Sequence, residues 1–144
     1  MDPMEPKTRL DRLVQVRERG EDAALRSLAT AQTTLGRVTE LLASRKEEAR
    51  TDGRGRSGAA DWMAEEAAHL RALQDVRNAE RALAQALTEE QRARSGYLDA
   101  HQRAEAVRRA QEKKRTEIKT DRDTRESRAL DELATLRFNV RSAH

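Results

Sequence analysis

Three histidines, His69, His101 and His144, and a glycine run at Gly53, Gly55 and Gly58 are the residues of this chain whose types and spacing could do chemistry. The histidines lie too far apart for a local metal motif, and no HExxH, P-loop or nucleophile elbow accompanies them. A histidine in such a setting reads as a surface or seam residue rather than a ligand or general base. The glycines match the letters of a GxGxxG dinucleotide fingerprint. That motif needs a preceding strand and a βαβ unit, and both flanks here carry helical patterning. The chain has no cysteine, which removes disulfides, thiol nucleophiles and thiolate metal sites and is compatible with a reducing cytoplasm. Its acids and bases are scattered as helix-surface charges. The sequence therefore predicts no catalytic residue, no cofactor and no metal.

The elements that would position these residues are helices. Residues 59–140 hold no proline and a single glycine, Gly96, and are built almost entirely from good helix formers. One helix of that length would run roughly 120 Å, far beyond the globular average, and it needs a partner. Only 36% of the chain is hydrophobic, 2% is aromatic and 38% is charged, which argues against a compact core and for helices that bury a narrow seam. Intrinsic disorder is the competing reading of so polar a composition, and the sustained helical pattern weighs against it.

Pro3 and Pro6 keep the first residues extended, and Thr8 followed by Asp11 resembles a capping box with a shortened acid. From there Leu10, Val14, Arg17, Glu21, Ala24, Leu28, Ala31, Leu35, Val38, Leu42 and Arg45 alternate by four and three, and eight of these eleven are apolar. The pattern predicts a helix over about 8–50 with a heptad seam. Residues 51–58, with three glycines, form the expected reversal. A second helix over about 59–141 follows, with Asp61 as its cap and Glu65 and Glu66 suiting the positive end of its dipole. Its first half carries Trp62, Leu70, Leu73, Val76, Leu83, Leu87, Tyr97 and Leu98, and Trp62 to Leu73, Val76 to Leu87 and Leu87 to Leu98 are eleven-residue steps, which predicts a gently twisted pairing.

The fold expected is thus all-α, an antiparallel two-helix coiled-coil hairpin with a longer C-terminal helix, in one domain spanning 1–144. A loop-centred register sets Arg50 opposite Ala59 and Leu10 opposite about Asp99, so that roughly forty residues of the second helix overhang at the rise of an α-helix. Residues 101–128 carry ten Lys or Arg against six Asp or Glu, with Val107 and Ile118 as their large apolar residues. Pairs such as Glu90 with Arg94, Glu105 with Arg109 and Asp121 with Arg125 can support this solvated helix. The interleaved acids would repel phosphate and argue against nucleic acid as a partner. After this span the apolar residues return as Leu130, Leu133, Leu136, Phe138 and Val140, a cluster beyond the reach of the first helix that wants a partner. No apolar run approaches the length of a membrane span, and the expectation is a protein neither secreted by an ordinary signal nor integral to a membrane.

The run Leu10-Asp-Arg-Leu-Val-Gln-Val-Arg-Glu-Arg-Gly-Glu-Asp-Ala-Ala-Leu-Arg-Ser-Leu-Ala-Thr-Ala-Gln32 resembles the opening helix of the bacterial flagellar export protein FliJ and its injectisome counterparts of the YscO type. Trp62, just after the reversal, is similar to an aromatic at the head of that family's second helix. Leu130-Asp-Glu-Leu-Ala134 with Arg137 resembles its closing segment. The second helix departs from the family where Ala67, Ala68 and His69 stand in place of an expected aromatic patch. The resemblance implies a non-enzymatic stalk of a type III secretion export apparatus, monomeric in isolation, cytoplasmic and peripheral at the inner-membrane export apparatus. Its implied partners are the hexameric export ATPase, the export gate protein and export chaperones. Leu130, Asp131, Glu132, Leu133, Leu136, Arg137 and Val140 would face the ATPase ring; Trp62, His69, Leu70 and Leu73 would face the export gate. Two readings from other classes stand beside this one, a parallel homodimeric coiled-coil scaffold and a basic helical nucleic-acid binder.

Overall fold

The computed structural model describes residues 5–51 and 59–143, the side chains of Ala59 and Ala60 excepted. The glycine-rich reversal expected at 51–58 lies, past Thr51, outside these residues, as does His144. Two helices make up the described fold, α1 over Leu10–Arg50 and α2 over Ala59–Ser142. The fold is all-α, with the two helices packed against each other and no strand among the described residues.

The start of α1 is fixed by its cap. The Thr8 amide donates to Asp11 Oδ2 at 3.2 Å, the Thr8 hydroxyl meets Oδ1 at 3.0 Å, and the Leu10 amide donates to Thr8 Oγ1 at 3.2 Å. These bonds satisfy amides that have no partner inside the helix, as the Thr8 and Asp11 spacing predicts. Asp61, expected as the cap of α2, instead sits within its first turn, because the helix already begins at Ala59. There its charge still favours the positive helix end.

The chain falls into two compact units, Glu21–Ala100 and Met1–Gly20 with His101–His144. In the first, Leu42 of α1 and Ala79 and Ala86 of α2 are buried. Ala24, Leu28, Ala31, Leu35 and Val38 are half-buried on α1, and Ala72, Val76, Leu83, Ala93, Tyr97 and Ala100 on α2. The α1 positions are those of the heptad series read from the sequence. Of the large residues read on α2, Val76, Leu83 and Tyr97 lie in the seam, whereas Trp62, Leu70, Leu73, Leu87 and Leu98 are exposed. An alanine recurs every seventh residue instead, at Ala72, Ala79, Ala86, Ala93 and Ala100. Small residues at alternate seam layers let helix axes approach towards the close end of the usual 8–10 Å range, and flanking leucines are then left outside. Glu90 shares this seam with only 7% exposure, and the expected i,i+4 partner holds it, with Arg94 Nε donating to Oε1 at 3.0 Å.

In the second unit Val14 and Ala104 are buried, Ala104 to 1% exposure. Pro6 is also buried, and Leu10, Arg17, Val107, Gln111, Arg115 and Ile118 are half-buried. Across this seam Arg108 Nε donates to Glu18 Oε1 at 3.2 Å, Gln111 Nε2 to Asp11 Oδ1 at 2.8 Å, and Arg115 Nη1 pairs with Glu5 at 3.2 Å. Residue numbers fall on one side as they rise on the other, so the helices are antiparallel. The register differs from the loop-centred one: Asp11 lies beside Gln111 and Arg115, not near Asp99. Cover on α2 therefore extends to Ile118 rather than stopping near residue 100, and the uncovered part is shorter than expected. Symmetry about a loop sets no register by itself; here interlocking seam residues and the charged pairs flanking them set it. Glu105 likewise pairs with Arg108, at 2.6 Å, rather than with Arg109, because Arg108 lies on the flank that faces α1.

Candidate partner interface

Every residue from 119 to 142 of α2 is exposed. What keeps this stretch helical is local: strong helix formers dominate it, and the hydroxyls of threonines such as Thr124 and Thr135 are satisfied on the carbonyls of Thr120 and Asp131 one turn back at 2.9 Å. The polar residues 119–129 are at ease in water. The last turns are not, since Leu130, Leu133, Leu136, Phe138 and Val140 are 57–70% exposed.

The residues expected to face a ring lie together on these turns. At about 100° per residue, Leu133, Leu136 and Val140 fall within an arc of roughly 60°. With Arg137 and Arg141 they line one open groove. Asp131, Glu132, Thr135 and Leu136 line a second, so that Leu136 belongs to both. Leu130 lines neither, because steps of three residues wind it round the helix away from Val140. Phe138 lies further round on Leu130's side. Sequence reasoning left Arg141 and Thr135 out of the surface, although Arg141 follows Arg137 at the i,i+4 spacing that places it on the same face. The arrangement offers apolar burial bordered by two guanidinium groups on one side and two carboxylates on the other. Such an arrangement can recognise another protein surface.

The other expected contact surface lies at the beginning of α2. Trp62 and Leu70 are more than half exposed, Leu73 is 38% exposed and His69 is half-buried. Trp62, His69 and Leu73 fall on one face at helical spacing, and Leu70 stands to the side of it. His101 is half-buried far along α2 from His69. Among the described residues no three of His, Asp and Glu converge so as to hold a metal ion, and no helix is long and apolar enough to cross a membrane.

The comparison with known families decides what kind of protein carries such exposed surfaces. The family model described as flagellar FliJ protein matches residues 6–143. The chain belongs to this family. Comparison with curated proteins and with solved structures gave no match. Membership makes this a flagellar export-related protein, and the FliJ family is a non-enzymatic, cytoplasmic component of the export apparatus. The match includes both helices and the uncovered end of α2, so the family pattern is not confined to the paired seam.

Proposed function

We propose that this protein is the central stalk of the flagellar export apparatus, docking the end of α2 into the hexameric export ATPase and promoting its assembly and activity. The observation that carries the reading is the uncovered stretch 119–142, whose last turns leave five large apolar side chains in water on a member of an export family. Each leucine fully buried by a partner would contribute about 1.5–3 kcal/mol of transfer free energy. In this reading Leu130, Leu133, Leu136 and Val140 supply the apolar contact, and Asp131, Glu132 and Arg137 orient it. Trp62, His69, Leu70 and Leu73 form the contact to the export gate protein, and the paired helices link gate, export chaperones and ring at the inner-membrane export apparatus.

The test is steady-state ATP hydrolysis by the purified cognate ATPase. Deleting residues 127–144 leaves the helical signal of the paired region in place and abolishes stimulation. Full stimulation by the shortened chain would remove the docking role from this end. Mass in solution separates the scaffold reading, since a stalk runs near 16.3 kDa and a scaffold runs as a dimer.

A further inference from the structure

The cover that reaches Ile118 is not all helix. α1 begins at Leu10, and residues 5–8 continue past its end along α2, with Pro6 buried and Glu5 exposed. Beside the burial of Pro6, charge attaches this end to α2. Arg115, 20% exposed at its side chain, takes Glu5 at 3.2 Å through Nη1 and Asp11 at 3.5 Å through Nη2. Gln111 donates to the same Asp11 oxygen at 2.8 Å. Arg115 Nε is buried without a hydrogen-bond partner, so burial of this guanidinium is incompletely compensated. Lys7, Thr8, Arg9 and Leu10 face Lys114 and Ile118 across a groove of about 500 Å³, whereas further in Val14 and Ala104 are closely covered. Partly exposed ion pairs are individually weak and are screened by salt, while the apolar layer beyond them is not.

We propose that residues 5–11 form an electrostatic strap, latched to α2 by Arg115 and Gln111, that opens locally while the rest of α1 stays paired. Opening bares Ile118 and the flank around Arg115, so the uncovered surface of α2 grows towards the amino-terminal side of residue 119. The strap thereby sets how much of α2 a partner can reach. Its charged neighbours are Glu5, Lys7, Arg9 and Asp11 on the strap side, and Lys114 and Arg115 on α2; the pair formed by Glu18 and Arg108 lies two turns further in and holds α1 itself.

The experiment is residue-resolved amide hydrogen exchange on the full chain, in wild type and in R115M and E5Q, at 20 mM and 1 M sodium chloride. Salt in the wild type, and R115M at low salt, each speed exchange of residues 8–14 by roughly tenfold or more and leave 21–50 unchanged, as expected for sub-global opening. E5Q, which keeps the cap at Asp11, gives a smaller acceleration over the same residues. Unchanged protection of residues 8–14 in both R115M and high salt overturns the proposal. So does acceleration spread equally along α1, which would mean that the segment opens only with the whole pairing.

Discussion

Residues 101–118 and 119–142 belong to one helix of similar polar character, yet they treat apolar side chains in opposite ways. The first stretch buries Ala104 almost completely and half-buries Val107 and Ile118, with charged residues arranged along its flank to meet α1. The second has larger apolar residues and buries none of them. The difference teaches that in this protein size does not mark the interior. On α2 the fully covered apolar positions are alanines, which allow close approach, while the last turns carry bulky residues that the chain itself does not cover.

Breaking the covered side should have the largest effect. Leu42, the most buried leucine of α1 at 8% exposure, cut to alanine should cost about 2–5 kcal/mol in urea or thermal melts. A loss far below that would show that the seam carries little of the stability. The converse substitution sharpens the point: Ala86→Leu, placed where only 3% of the residue is exposed, should cost about 1–3 kcal/mol through overpacking. Were it stabilising, close approach of the helices would not be what the alanines serve. On the uncovered side, Leu133→Ser with Leu136→Ser should shift the melt by no more than about 0.5 kcal/mol, as expected for exposed positions. The same pair of changes should weaken ATPase stimulation, so folding and docking separate in one variant.

The smallest expected effect is one of pH, confined to the amino-terminal end. Asp11 is held below its ordinary carboxylate range by the Gln111 hydrogen bond first, then by the Thr8 amide and hydroxyl and the Arg115 charge, against a partial desolvation. A carboxylate so lowered contributes stability above its unfolded value, and loses it as pH falls through the lower folded value. Thr8 and Leu10 should therefore keep their amide protection at neutral pH and lose it in acid, below about pH 4, before the melting of the seam changes. Carboxyl titration followed by NMR checks the sign. A value for Asp11 above the ordinary range would contradict the bonds it receives.

The heptad of α1 was legible because leucines and valines occupy it against a polar background, and every position of the series from Leu10 to Arg45 proves buried or half-buried. The seam of α2 was legible at Val76, Leu83 and Tyr97 and otherwise hidden for the opposite reason. Alanine is common on any helix, so Ala72, Ala79, Ala86, Ala93 and Ala100 do not stand out, while Leu73, Leu87 and Leu98 draw attention to a face that stays in water. The register was hidden as well: period alone leaves free which layer of one helix meets which layer of the other. Flanking charges supply the missing information, because Glu18 with Arg108 and Asp11 with Arg115 select one offset. The apolar end of α2 was easier, since large residues return there after a long polar span. Arg141 and Thr135 escaped notice because polar residues mark no pattern until the groove they border is seen.

The meeting of Glu5 with Arg115 fixes the point on α2 from which the chain ahead of Glu5 departs. Leu130 stands fifteen positions further along α2, about 22 Å away at 1.5 Å per residue. An extended peptide covers roughly 3.3–3.6 Å per residue, so a fused sequence of about seven residues is already long enough to reach the uncovered leucines. A purification tag or fluorescent label joined at Met1 would compete for the surface under test, most strongly if it carried leucines or acidic side chains.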